Sequence, residues 1–335
     1  MNANIIKKLL SLFGVLLMSS CMIINSKHEN NVLKNKTICL DPGHGGTADT
    51  DAYRVGPSGE REEWINLRVA LYLKETLEEK GAKVIMTRTE DIQVPLKERA
   101  LLAVERGADA FISLHHNATA DAGVNFPIVY YHGNASENKG SALLGRFVCR
   151  RLREALFSGE GDAVLCSDFT IFPGSGTSVL RNSYDIPGVI GEASFFSNPD
   201  EEKRLKNHSY NEREAQAYAM ALEDFFSTPH QPIREKFSMI TISPFEVFQE
   251  AERMNEIARN WRDDYQKGKE IFDRGEPDSF KKAFEFLTRS AKSFPDSPVA
   301  RECHRLRALI LEKWGKSKEA LVERTRVNEF YIPLE

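Results

Sequence analysis

Short β-branched and apolar runs alternate with amphipathic stretches from Lys36 to about Phe226. Thr37–Leu40, Val84–Thr87, Phe111–Leu114, Val129–Tyr131 and Val189–Ala193 read as strands. Between the first two, Ile65, Val69, Leu73 and Leu77 recur every fourth residue and stop at Gly81, the signature of a helix and its C-terminal cap. Pro95 opens a second helix that carries Leu96, Ala100 and Val104 along one face and ends at Gly107. Strands separated by helices predict an α/β domain over 36–226, with a mainly parallel sheet and helices on both faces.

The pattern then changes. Residues 227–243 hold Pro229 and Pro232 without a clear period and read as a linker. Over 244–335 the period becomes helical. Val247, Ala251, Met254, Ala258, Trp261 and Tyr265 step by three and four and predict one long amphipathic helix. Phe280, Phe284, Leu287 and Ala291 mark a second, Pro298 opens a third through Cys303, Leu306 and Ile310, and Ala320 with Leu321 marks a last. This is a small all-α region of helical hairpins. It resembles tetratricopeptide-type pairs without carrying the full repeat signature, and a helical appendage packed on the α/β domain fits the pattern equally well.

The leader is a separate object. Lys7 and Lys8 precede an apolar run from Leu9 to Met18, about half of what a membrane-spanning helix needs. Ser19-Ser20-Cys21 follows, and residues 1–21 resemble a bacterial lipoprotein leader with lipid attachment at Cys21. The mature chain is therefore expected outside the cytoplasm, in the cell envelope, held to a membrane by lipid. Cys39, Cys149, Cys166 and Cys303 show no metal-ligand spacing and read as buried apolar residues. With 45 basic against 49 acidic residues, no basic excess exists to neutralise phosphates, which removes nucleic acid as a partner.

Chemistry gathers at strand ends. The first strand runs into Asp41-Pro42-Gly43-His44-Gly45-Gly46, where glycines permit a sharp turn around an uncrowded imidazole. The Phe111–Leu114 strand delivers His115, followed by His116 and Asn117. Carboxyl ends of parallel strands form the ligand crevice, so His44 and His115 are expected to converge there. Two histidines and one carboxylate make a standard hydrolytic zinc site, with a position left open for water. Glu60, Glu62 and Glu63 are all candidates for the third ligand, because acids in a first helical turn also occur simply for the helix dipole. Glu192 stands inside an otherwise apolar strand, where burial would raise its pKa toward the range useful for proton transfer.

Leu40–Gly46, Glu62 with Asn66-Leu67 and Ala70, Thr87-Arg88, Phe111–His115 with Asn117-Ala118, Val179-Leu180-Arg181, and Glu192 with Ser197-Asn198-Pro199 resemble, in order and spacing, the zinc-dependent N-acetylmuramoyl-L-alanine amidases of the amidase-3 type. The resemblance implies one zinc held by His44, Glu62 and His115, with Glu192 catalytic and peptidoglycan as substrate. It selects Glu62 among the three acids, although Glu63-Trp64 follow where the family commonly has lysine and then an acid or amide. Asn117 and Arg181 are expected to contact substrate. His116 reads as a supporting or solvent-facing residue. His132 and the stretch from Ser158 to Ser178 depart from the family pattern, and a loop there is expected to line the groove or cover the metal. Two other readings remain: a zinc peptidase or deacetylase on another envelope substrate, and a catalytically silent wall-binding lipoprotein. The C-terminal helices are expected to offer a surface to a protein partner.

Overall fold

A computed structural model describes residues 31–46 and 54–334. The leader and Cys21 lie outside the described residues, and among the described ones no helix is long and apolar enough to cross a membrane.

The strands are β1 (Thr37–Pro42), β2 (Lys83–Met86), β3 (Ala110–Asn117), β4 (Ile128–Tyr131), β5 (Val164–Ser167), β6 (Gly188–Phe195) and β7 (Tyr331–Ile332). They form one sheet in the order β2-β1-β3-β6-β4-β5-β7. Pairing is parallel from β2 to β6 and between β4 and β5, and antiparallel at β4–β6 and β5–β7. Alternate residues face opposite sides. Ile38, Leu40, Ile112, Leu114, Val129 and Val189 join one core cluster, while Cys39, Phe111, Ile128, Tyr130 and Ile190 join the other. Burial on both sides is why these strands read as continuous apolar runs.

Helices α1 (Glu62–Glu79), α2 (Leu96–Glu105), α3 (Lys139–Phe157), α4 (Ser178–Asn182), α5 (Pro199–Leu205) and α6 (His208–Phe226) cover the two faces. Leu73 and Leu77 of α1, Leu144 and Val148 of α3, and Tyr218 and Leu222 of α6 fill the first side. Ala103 of α2 and Val179 and Leu180 of α4 reach the second. Gly81 and Gly107, both at positive φ, follow the ends of α1 and α2, where glycine adopts the left-handed conformation without a Cβ penalty. Asn138 and Asn207 cap the N-termini of α3 and α6 by accepting from Ser141 N and Ser209 N. Segment 227–243 is irregular and docked: Phe237 N and Met239 N donate to the Glu137 carboxylate at 3.1 and 2.8 Å.

The single long helix expected from Val247 to Tyr265 is instead three, α7 (Glu250–Arg253), α8 (Glu256–Arg259) and α9 (Trp261–Arg274). Asn255 breaks the run: its backbone is extended and its side chain accepts from Ile257 N, so it starts a new helix rather than continuing the old one. Beyond lie α10 (Phe280–Ser293), α11 (Ala300–Lys313) and α12 (Ser317–Phe330). A Cβ on Gly268 would come within 2.8 Å of Leu287, which is how closely α9 and α10 approach.

Val32–Glu335 forms one compact unit. Trp261, Phe294, Phe330 and Tyr331 belong to the same buried cluster as Phe126 and, from the sheet, Ile128, Tyr130 and Cys166. The β7 strand pairs Tyr331 with Cys166 and Ile332 with Leu165, covering the edge that β5 would otherwise expose. The helical region therefore shares the hydrophobic core of the α/β fold. Replacing Phe294 with alanine, a change at a 2% exposed site, is expected to remove about 3 kcal/mol of stability. Urea unfolding followed by circular dichroism should show the whole transition moving; a shift confined to a minor helical phase would contradict the shared core.

Candidate metal centre

The loop after β1 is held from below by buried charge. Asp41 accepts from Thr87 Oγ1 at 2.6 Å, from Ser113 Oγ at 2.7 Å and from Arg99 Nη1 at 2.9 Å. Burial pushes the Asp41 carboxyl up, but the Arg99 guanidinium and the hydroxyl donors outweigh it and hold it below its ordinary value. Arg99 and Arg88 also donate to the Pro42 and Gly43 carbonyls at 2.8 to 2.9 Å. His44, Gly45 and Gly46 follow at φ of 58°, 114° and 68°. Three successive left-handed residues turn the chain back, and two are glycine for that reason. His44 carries the strain because its imidazole is thereby aimed into the crevice. Gly43 answers a different need: a Cβ there would lie 2.2 Å from the His115 ring.

His44 Nε2 lies 3.2 Å from Glu62 Oε1, and His115 Nδ1 lies 3.0 Å from the same oxygen. The two rings meet edge to face with centroids 4.7 Å apart. One donor atom from each of His44, Glu62 and His115 lies within 4.8 Å of the others. Burial lowers the His44 pKa, which keeps its lone pair available. Burial also pulls His115 down, but its hydrogen bond to Glu62 and the charges of Glu192 and Glu62 outweigh this and raise it. The contact between His115 and Glu62 thus stands where a divalent cation would serve the same charges. Two imidazoles and one carboxylate oxygen suit such an ion.

Glu62 is buried and its second oxygen is occupied elsewhere. Arg54 Nη1 donates to Oε2 at 3.1 Å, which leaves Oε1 toward the histidines. Asn66 Nδ2 and His116 N approach Oε1 at 3.3 Å. Glu63 is turned away and accepts from Arg61 at 2.7 Å, and Glu60 accepts from Arg68 at 2.6 Å. His116 is buried between Asn66 Oδ1 at 2.9 Å and Glu214 Oε2 at 3.1 Å, so it supports the helix carrying Glu62.

Glu192 is the register partner of His115 across β3 and β6. Its Oε2 is buried without a hydrogen-bond partner among the described residues. Burial pushes its carboxyl up to about 7, with His115 opposing and Glu62 adding to the rise. His44, Glu62, His115 and Glu192 line a cavity of about 540 Å³ together with Asn117, Tyr130, Ile171 and Phe172. A second hollow continues past His44 toward Arg181, whose Nη1 is engaged by Ser175 O at 2.9 Å. The stretch from Ser158 to Ser178 contributes the unforeseen β5 and then the groove-lining Ile171, Phe172 and Thr177. His132 lies beneath that loop, 2.9 Å from Asp168 Oδ2, which also accepts from Thr177 N at 2.7 Å. Cys39, Cys149, Cys166 and Cys303 are free and buried.

Arg54 and the cavity residues Phe248, Gln249, Arg253 and Met254 carried no sequence signal of their role. Asn66 did, since four residues after Glu62 is the same helix face.

The fold and this centre define an α/β scaffold with a candidate metal site, built from two strand-end histidines and a helix-borne glutamate beside a facing strand glutamate. Residues 38–224 match the Amidase_3 family, N-acetylmuramoyl-L-alanine amidase, and the chain belongs to that family. It is similar to the probable cell wall amidase LytH of Staphylococcus epidermidis, 33% identical over 200 residues that cover 60% of this chain and 62% of that protein. LytH of Staphylococcus aureus is 31% identical over 207 residues, 62% of this chain and 64% of that protein. The chain thus spans less than two thirds of the length of these relatives. Among solved structures, it resembles an N-acetylmuramoyl-L-alanine amidase from Clostridium difficile 630 (TM-score 0.51, 25% identity, 59% of this chain and 100% of that one). The CwlD amidase from Clostridioides difficile, solved in complex with the GerS lipoprotein, gives a TM-score of 0.51 at 27% identity over 58% of this chain and 99% of that one.

The raised Glu192 pKa has a measurable consequence in metal-free protein. Between 4.5, its ordinary value, and about 7 the folded chain holds a proton the unfolded chain has lost, so stability falls as pH rises through this window. Glu192→Gln removes that loss. Its Tm is expected to equal the parent's near pH 4.5 and to exceed it by several degrees at pH 8, read by calorimetry in the presence of chelator.

Proposed function

We propose that this chain is a zinc-dependent amidase that hydrolyses the bond between the lactyl group of N-acetylmuramic acid and L-alanine of the peptidoglycan stem peptide. The observation that carries this reading is the convergence of His44, Glu62 and His115 donor atoms beside the unpartnered oxygen of Glu192. Family membership supplies the substrate class.

His44, Glu62 and His115 would hold the ion, with Arg54 and Asn66 orienting Glu62. When bound, zinc supplies Lewis acidity toward the scissile carbonyl and the attacking water. Glu192 accepts the water proton as the oxygen bonds to the carbonyl carbon. It then returns that proton to the amine nitrogen as the carbon–nitrogen bond breaks. A carboxyl poised near neutrality by burial suits both transfers. Asn117 and Arg181, which line the two hollows at the centre, would contact glycan or peptide. A lipid at Cys21 would keep the enzyme in the cell envelope beside its polymer, consistent with the cell wall amidases it resembles.

The chain from residue 22 onward is expected to bind about one zinc and to release peptides beginning with L-alanine from purified sacculi. Glu192→Ala should retain the metal and lose at least about a thousandfold in rate, as removal of a positioned acid–base does, whereas His44→Ala should lose the metal. Metal analysis and mass spectrometry of the products give both readouts. Zinc without L-alanine-terminated products would favour a hydrolase of another envelope substrate.

A further inference from the structure

One wall of the catalytic cavity is made by Phe248, Gln249, Arg253 and Met254, beyond the family-matched stretch that ends at residue 224. This wall is fixed in place. Phe248 N donates to Lys292 O at 2.9 Å, and Arg253 Nη2 donates to Asp296 Oδ1 at 2.7 Å. Asp296 is fully buried, and its other oxygen accepts from the hydroxyl of Tyr130, which lines the same cavity from β4. The Arg253 guanidinium lies 5.5 Å from the Phe294 ring centroid. A buried carboxylate with both oxygens engaged and an aromatic ring thus hold one guanidinium at the rim.

That arrangement leaves donors to spare. A guanidinium carries five N–H groups, and the bond to Asp296 is the side-chain hydrogen bond Arg253 makes among the described residues. Its side chain keeps 18% exposure, at the cavity. The other guanidinium lining this cavity, Arg54, is engaged by the ligand Glu62. An isolated Arg–Asp pair adds little to stability, but an arginine pre-oriented by a buried acid loses little entropy when it receives a second carboxylate. Resting on the amidase reading above, we infer that Arg253 is a specificity-determining residue that binds a carboxylate carried by the peptide part of the substrate. The C-terminal region then contributes a substrate contact directly to the groove.

The test compares three muramyl-peptides: one with free carboxylates, one amidated on the residue after L-alanine, and one amidated only at the peptide C-terminus. The parent chain, Arg253→Gln and Arg253→Lys are assayed for kcat/KM on each, with zinc content and Tm measured alongside. The parent is expected to prefer the free acid over one of the amides by about tenfold or more, the size of a charge-assisted hydrogen bond, and the preferred position identifies the carboxylate. Arg253→Gln should lose that preference, with kcat/KM falling by a larger factor on the acid than on the amidated peptide, and Arg253→Lys should restore part of it. No preference in the parent, or an equal loss on acid and amide in Arg253→Gln, overturns the proposal. Calorimetric binding of the same peptides to a Glu192→Gln chain reads the preference without turnover. Acid-selective binding with no hydrolysis by the parent would therefore retain Arg253's role and reject the amidase reading, while equal binding of acid and amide rejects Arg253's role. Should Arg253→Gln fail to fold, the parent's own acid-to-amide ratio decides.

Discussion

A single buried carboxylate organises the centre. Glu62 sits out of water, where an unpaired charge is prohibitive, and the fold meets that demand from several directions at once. Arg54 engages one oxygen; Asn66, the His116 amide and two imidazoles surround the other. The same set of contacts makes Oε1 the point toward which His44 and His115 converge. Positions of three chain segments, the β1 loop, the start of α1 and the end of β3, are thereby tied to one atom.

The support behind that atom is itself charged and closed to solvent. Asp41, Arg99 and Arg88 knot the β1 loop to β2, α2 and β3, so the left-handed turn at His44 is held by side chains rather than by its own backbone preference. On the other side, His116 and Glu214 tie β3 to α6. Glu192 is the exception. Its buried oxygen has no partner among the described residues, and it faces the cavity where a reacting group would stand. Glu63 and Glu214 also keep one buried oxygen without a partner, but Arg61 and His116 engage the other, and leaving one carboxylate without such a charged partner is how a protein raises a single pKa selectively.

The helical region belongs to this arrangement. Trp261, Phe294, Phe330 and Tyr331 complete the core beneath β4 and β5, and the Arg253–Asp296–Tyr130 connection carries the region to the rim of the groove. A hydrophobic face shared in this way cannot separate from the sheet without exposing large aromatic surfaces.

Local pattern determined much of this protein. Apolar runs located β1 to β4 and β6, four-residue spacing located α1, and glycines around His44 together with strand-end His115 and mid-strand Glu192 marked the chemistry, because these depend on period, turn geometry and the burial of a charge. It did not reveal β5, a run of only four residues, or β7, two residues that are a strand only because β5 lies beside them. The spacing from Val247 to Tyr265 predicted one helix, yet Met254 and Arg253 face the cavity and Asn255 restarts the chain, since apolar spacing cannot tell a core contact from a groove contact. From the residues alone Glu60, Glu62 and Glu63 were equivalent acids. The family resemblance selected Glu62, and the tertiary structure gives the physical reason by placing Arg68 beside one, Arg61 beside another, and both histidines beside the third. Sequence sets what each segment can form; which partners arrive across the fold decides what each charge is for.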